Sequence, residues 1–466
     1  MNCLKKYQNY LDKFRKGYII AFLTYLMLSR IVLFVNIISI SANALIYNVF
    51  AIVGILLLIF DFLSNFYPFK SRANILLTAF LVTCAISSVV NISYGISDNL
   101  KTLVWTAIQF FVLFSTLHLK SKEEAYENMN IIMKISSHIW FVAVVISLWQ
   151  FVFQIHYRAD FSEFTRRQGF YDARLFGIFS DPNFAAVTSL IVIVFCYYLN
   201  KKCEKKWLKR IYTANIICQA LYILLSGSRT GIIEAVILTV MLVFFETRNK
   251  LVDVSAKNYI RRSILKSIIA GGLVVLLMFI LPAPLLKLAE GGEYLKASIL
   301  GEEEIDEEEI KLDRDDIRED NLSNNRFEIW KSALEVSSDK RFIGVSPRNM
   351  IKYAEKNYPD SYIAKTKYEA HNGYVAVIAS TGILGAVILL LFIIYLILKL
   401  VAFARMKKYA VFEEGIVITF IVMCLVGISA FMLLDIFFVN TYSAAIFWLF
   451  TGYLVYFLRI QKKVED

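Results

Sequence analysis

Apolar residues run in blocks of roughly 17 to 25, separated by short bursts of charge, and each block is long enough to cross a ~30 Å hydrocarbon core as a helix. Such blocks lie near 18–38, 42–62, 74–91, 100–118, 131–155, 176–199, 208–226, 231–246, 264–286, 374–398, 414–437 and 440–458. They predict about twelve transmembrane helices. One long polar stretch, 287–371, is too long for a simple connector, and such segments usually carry function or are disordered. The predicted organisation is an N-terminal bundle of about nine helices over 1–286, a large extracytoplasmic loop with amphipathic helices over 287–371, and about three helices over 372–466. The first block follows Lys5, Lys6, Lys13, Arg15 and Lys16. It is too long for a signal-peptide core and a second block follows at once, so it is expected to be an uncleaved anchor.

Composition agrees, with 58% hydrophobic and 15% aromatic residues over 466 positions. The fold class expected is all-α, a polytopic membrane helix bundle. Lys and Arg crowd alternate loops, including Lys70/Arg72, Lys120/Lys122, Lys201 to Arg210, Arg248 to Arg262 and Arg405/Lys407/Lys408. That alternation predicts a plasma (inner) membrane protein with both termini cytoplasmic. It also accounts for the net charge of +11, through topology and anionic headgroups, so no nucleic-acid partner is expected. Cys3, Cys84, Cys196, Cys203, Cys218 and Cys424 fall in apolar blocks or cytoplasmic segments, and no ligand-spaced Cys or His pair occurs. Neither a disulfide framework nor a structural metal site is expected.

Two external segments depart from the charge pattern. The first, 156–175, carries Arg158, Arg166, Arg167 and Arg174 on the side where cations should be few. Snorkelling to headgroups would explain the first three. Arg174 instead precedes a polar cluster, Asp181-Pro182-Asn183, which should line a cavity. The second, 287–371, opens with the acidic run Glu302 to Glu309 and continues through Asp315-Asp316 to Glu319-Asp320. Without EF-hand spacing this reads as a solvated run. Farther on, Asn325-Arg326-Phe327-Glu328-Ile329-Trp330 has the period of an amphipathic helix, with Phe327 and Trp330 at the interface and Arg326 free to point elsewhere.

A third polar point is the turn Ser226-Gly227-Ser228-Arg229-Thr230-Gly231. Its N–H groups and the helix N-terminus behind it suit an anion, and Arg229 adds a planar fork for phosphate. The segment ends at His371-Asn372, an imidazole at the membrane boundary. Arg30, Glu234 and Asp435 fall in the outer halves of apolar blocks, where a charge needs a partner; Glu234 could pair with Arg30 or Arg229. His138, inside a block, reads as a hydrogen-bonded packing residue.

Three segments carry a resemblance over roughly 170–400. They are Arg174 with Gly177 and Pro182-Asn183; the Ser226–Gly231 turn with Arg229; and Asn325-Arg326 with Trp330, Gly344, His371-Asn372-Gly373-Tyr374, Gly382 and Gly385. The chain resembles the O-antigen ligase and polymerase superfamily of bacterial cell-envelope glycosyltransferases. The resemblance implies a GT-C-like architecture and a polyprenyl-pyrophosphate-linked glycan donor, transferred to a glycan acceptor at the external face with no cofactor, nucleotide sugar or obligatory metal. It assigns His371 as general base and Arg229, Arg326 and Arg174 as the pyrophosphate clamp. Asn372, Asn325, Asn183 and Glu234 would support them. Polymerisation of repeat units for capsule, O-antigen or exopolysaccharide is the favoured reaction, with a flippase and a chain-length regulator as partners. Ligation to lipid A core, a wall polymer or a protein is the alternative. A lipid-linked oligosaccharide flippase is the reading from another class, but such transporters place charge at the midplane and show repeat symmetry, which this chain does not.

Overall fold

The computed structural model describes residues 8–160, 165–254, 257–301, 310–312 and 325–463. The acidic stretches at 302–309 and 315–320 lie outside the described residues. The chain is 78% helical, as expected of an all-α polytopic membrane protein. Its first part comprises α1 (Gln8–Leu28), α2 (Val32–Ile37), α3 (Ile40–Asn65), α4 (Arg72–Val90), α5 (Ser97–Ile108) and α6 (Lys122–Val152). Strands β1 (His156–Asp160), β2 (Thr165–Tyr171) and β3 (Arg174–Gly177) follow, then α7 (Pro182–Lys202), α8 (Lys206–Leu225), α9 (Arg229–Asp253), α10 (Tyr259–Ile280) and α11 (Pro282–Leu300). The last part holds α12 (Arg326–Val336), α13 (Met350–Asn357), α14 (Tyr362–Thr366), α15 (Gly373–Met406), α16 (Glu414–Met432) and α17 (Tyr442–Lys463).

Among the described residues, nine helical stretches are long and apolar enough to cross a membrane, with α10 and α11 forming one of them. The other three predicted blocks are helical but break that rule for identifiable reasons. α1 carries Asp12, Lys13, Arg15 and Lys16, α8 opens on Lys206, Lys209 and Arg210, and the block at 100–118 is split by a π-helical turn at Gln109–Leu113. In α1 the charge is taken inside by pairing: Arg15 donates to Asp61 and lies near Asp12, and all three are buried. A buried charge is tolerated only with such a partner. α7 and α17 form the interior, with 78% and 83% of their apolar windows buried, against 11% for α10–α11, which face outward.

Side chains cap the helices that converge near the site. Asp181 accepts from the backbone N–H of Asn183 and Phe184 at the start of α7, Ser228 accepts from Gly231 N at the start of α9, and Asn372 accepts from Tyr374 N and Val375 N at the start of α15. Each satisfies donors that a helix start leaves open.

Segment 156–175 is not an irregular loop but a three-stranded antiparallel sheet in the order β1-β2-β3, with His156 opposite Gly169 and Phe170 opposite Leu175. Its arginines find partners within the protein. Arg158 donates to the Tyr171 hydroxyl (2.7 Å), Arg166 to Asn36, and Arg167 pairs with Asp172 (3.4 Å). Beyond β3 the backbone docks on the chain between α1 and α2: Val32 N donates to Ile178 O and Ser180 N to Arg30 O. That contact brings Arg30 beside the start of α7.

The stretch from 287 stays helical to Leu300, against the end of α6 near Val152. α15 is broken at Gly382 (φ 63°, ψ −163°), a conformation essentially restricted to glycine. The break frees carbonyls that the returning chain takes up. Val345 N donates to Ala379 O, Ser346 N to Ser380 O, and Ile383 N to Arg341 O. Gly344 and Gly382 let the two backbones touch, since a Cβ on either would sit within 2.5 Å of the other chain's backbone atoms. Ser87 and Asn91 at the end of α4 seal the junction through Ser380 O (2.8 Å) and Gly344 O (2.9 Å).

A candidate active site at one end of the bundle

The ends of six elements meet at the end of the bundle opposite Gln8 and Lys463. Arg174, on β3, donates Nε to Ser226 O (3.0 Å) and Nη2 to Asn183 Oδ1 (2.9 Å). Those bonds fasten the sheet and the start of α7 to the turn that carries Arg229. Arg229 is the first residue of α9 and is half-buried. Arg326 is the first residue of α12, and its Nη1 donates to Met432 O (2.6 Å) at the end of α16, a terminus with unspent carbonyls. Among the described residues its other N–H groups have no protein acceptor. Burial and the neighbouring charge of Arg229 both press the Arg326 pKa below its usual value. Two guanidinium groups that feel each other's charge suit an anion near both.

His371 sits in the left-handed region (φ 46°), between Ala370 and the Asn372 cap. Histidine tolerates that region better than most residues, and such backbones concentrate at functional sites. Its ring lies edge-to-face on Tyr368 (centroids 5.9 Å apart) and keeps an exposed face. Crowding by protein lowers its pKa below 6.5; the charge of Arg326 pushes the same way, while Glu369 and Asp181 oppose it. The shift favours the neutral form of the imidazole. One electrostatic neighbourhood thus contains His371, Arg326, Arg229 and Asp181, and Asp181 in turn acts on Arg30, whose guanidinium lies 5.2 Å from the Phe184 ring.

Next to His371 is a cavity of about 40 Å³ lined by Arg348, Glu369, Asn372 and Asp435. Arg348 pairs with Glu369 (2.9 Å) and donates Nε to Thr102 (3.2 Å). Asn372 is 1% exposed; its Oδ1 caps α15, and its amide nitrogen has no hydrogen-bond partner among the described residues. Asp435 is not inside a span. It lies between α16 and α17, where it accepts from Phe437 N (2.8 Å) and Phe438 N (2.9 Å), and burial raises its pKa to about 6.

The remaining predicted residues are placed as follows. Asn325, left-handed (φ 58°), leads into Arg326. Asn183 holds Arg174. Glu234 pairs with neither Arg30 nor Arg229: it is fully buried one layer deeper, and both of its oxygens accept from Ser429 Oγ (2.7 and 2.9 Å). Trp330 packs on Phe327 and Phe431, as an interfacial aromatic pair would. His138 is hydrogen-bonded to Lys134 O (2.6 Å). Arg348, Glu369 and Ser429 were not identified from the sequence. Glu369, two residues before His371, was the one with a local signal.

Residues 214–390 match the family model described as O-Antigen ligase. That segment, less than half of the chain, is similar to the family and supports the likeness to the O-antigen ligase/polymerase superfamily. The O-antigen ligase match spans Arg229, Glu234, Asn325, Arg326, His371 and Asn372, and leaves Arg174, Asn183 and Asp435 outside. The match supports a membrane enzyme of O-antigen or polysaccharide assembly. A search of curated proteins gives no match.

Proposed function

We propose that this protein is a membrane glycosyltransferase that joins polyprenyl-pyrophosphate-linked repeat units at the extracytoplasmic face, with both termini cytoplasmic. The observation that carries the reading is that Arg229 and Arg326, each first in its helix, and His371, just before the Asn372 cap, share one electrostatic neighbourhood. The acceptor hydroxyl binds on the His371 side, where Arg348, Glu369, Asn372 and Asp435 offer donors and acceptors for sugar hydroxyls. His371 takes the hydroxyl proton as the acceptor oxygen bonds to the anomeric carbon of the donor. The bond from that carbon to the pyrophosphate oxygen breaks, and its electron pair leaves with the lipid pyrophosphate. Arg229 and Arg326 stabilise the charge that grows there, the work a divalent cation does elsewhere, so the reaction proceeds without metal. Arg174 acts one step back, by holding the turn that presents Arg229.

Transfer to a different acceptor is the second reading, favoured by the description of the matching family as a ligase. Purified full-length protein given defined lipid-linked repeat units separates the two. A ladder of joined units supports the polymerase, and transfer only to a non-repeat acceptor supports the ligase. His371→Ala should lower turnover by about 10² to 10⁴; wild-type product length from that variant, at normal protein level, would remove the general base.

A further inference from the structure

At the opposite end of the bundle, a cleft of about 360 Å³ opens between α4, α15 and α17. Its rim carries three exposed cations from three different helices, Arg72, Lys399 and Arg459, and its floor holds the buried Asn74 and Tyr456 with half-buried Tyr395 between them. The rings fix where the charges sit. The Arg459 guanidinium lies 5.5 Å from the Tyr456 ring centre and the Lys399 ammonium 5.7 Å from that of Tyr395. Arg72 is the first residue of α4, so that helix directs its positive end into the same cleft. Glu123 and Glu124 act on Tyr456 from the start of α6, but Glu124 already accepts from Lys120 N (2.9 Å). On α15 the cleft continues into an exposed apolar face formed by Ile394, Ile397, Leu398 and Val401.

Three cations converging on a space of headgroup size, beside an apolar face long enough for a chain, complement a phosphate that carries a hydrocarbon tail. We propose that this cleft binds the phosphate of an anionic phospholipid, with the headgroup among Arg72, Lys399 and Arg459 and an acyl chain along α15. The site is separate from the transfer site and does not depend on the reaction assigned there.

Native mass spectrometry of the purified full chain tests it, with phosphatidylglycerol, phosphatidylcholine and inorganic phosphate as separate probes. The wild type should retain phosphatidylglycerol in preference to phosphatidylcholine. With each cation contributing about fivefold, the triple variant R72Q/K399Q/R459Q should bind it roughly a hundredfold more weakly. All three side chains are exposed, so folding should persist, and R72K/R459K should keep the preference because it keeps the charge. Equal retention by the triple variant, or no preference between the two lipids, overturns the proposal. Inorganic phosphate binding as tightly as phosphatidylglycerol would overturn the lipid and assign the cleft to a free phosphate.

Discussion

Replacing Arg326 by lysine isolates the guanidinium geometry, because charge is kept while the fork is lost. In the wild type one N–H of Nη1 is spent on Met432 O at 2.6 Å, which leaves four of the five donors an arginine carries. A lysine gathers its three donors on one nitrogen and lacks the planar fork that holds that carbonyl at one edge and grips two phosphate oxygens at another. At least one charge-assisted hydrogen bond is lost, about 1.5–3 kcal/mol, which is about a 10- to 150-fold fall in kcat/KM. If the bond forms mainly as the leaving group charges, the fall appears in kcat rather than KM. Arg326→Ala also removes the charge and should approach the 10²–10³ loss typical of a missing transition-state donor. The assay is product formation from lipid-linked repeat units by purified variants whose folding is checked by gel filtration. Arg326→Lys within about threefold of wild type would refute the clamp, and the same result for Arg229→Lys would remove it entirely.

Three further outcomes follow from the geometry. The pH–rate profile should show an acid limb with its midpoint below 6.5, since the lowered His371 pKa keeps the base neutral above it; Glu369→Gln removes a charge that raises that pKa, so the midpoint should fall further, and an upward shift would contradict the assignment. Arg174→Ala should lose two charge-assisted hydrogen bonds, to Ser226 and Asn183, and about 2 kcal/mol or more of stability; an unchanged Tm with lost donor binding would return Arg174 to direct contact with substrate. Gly382→Ala should destabilise by about 3 kcal/mol or more, combining a glycine-only backbone with overlap on Phe342 and Ile343; a wild-type Tm would show that the crossing of 341–346 with α15 is not as tight as described.

Much of the site was legible as residue types at a boundary. Arg229 and Arg326 each stand first in a helix, after a short polar turn or an amphipathic onset, and His371-Asn372 ends a polar stretch before an apolar one. Local rules suffice for such positions, because capping and apolar length depend on neighbours in sequence. Arg348 and Ser429 had no comparable signal: Arg348 matters through Glu369 and Thr102, and Ser429 through Glu234, all distant in the chain. Asp435 was visible as a charge but assigned to the wrong depth, since α16 ends at Met432 and the apolar run continues past it. The segment at 156–175 failed as a loop for a related reason. Its strands pair with each other, the chain just beyond them docks near Arg30, and no hydrophobic alternation announces them.

Apolar block lengths determined by themselves that this chain threads a membrane repeatedly, because transfer free energy depends on composition along the run. What they could not determine is which charges meet. The docking of 341–346 into the break at Gly382, the bond from Arg326 to Met432, and the tie from Arg174 to the Ser226 turn are contacts between segments far apart in sequence. Only packing of the whole bundle sets those distances, and with them the neighbourhood in which burial and Arg326 favour the neutral form of a histidine.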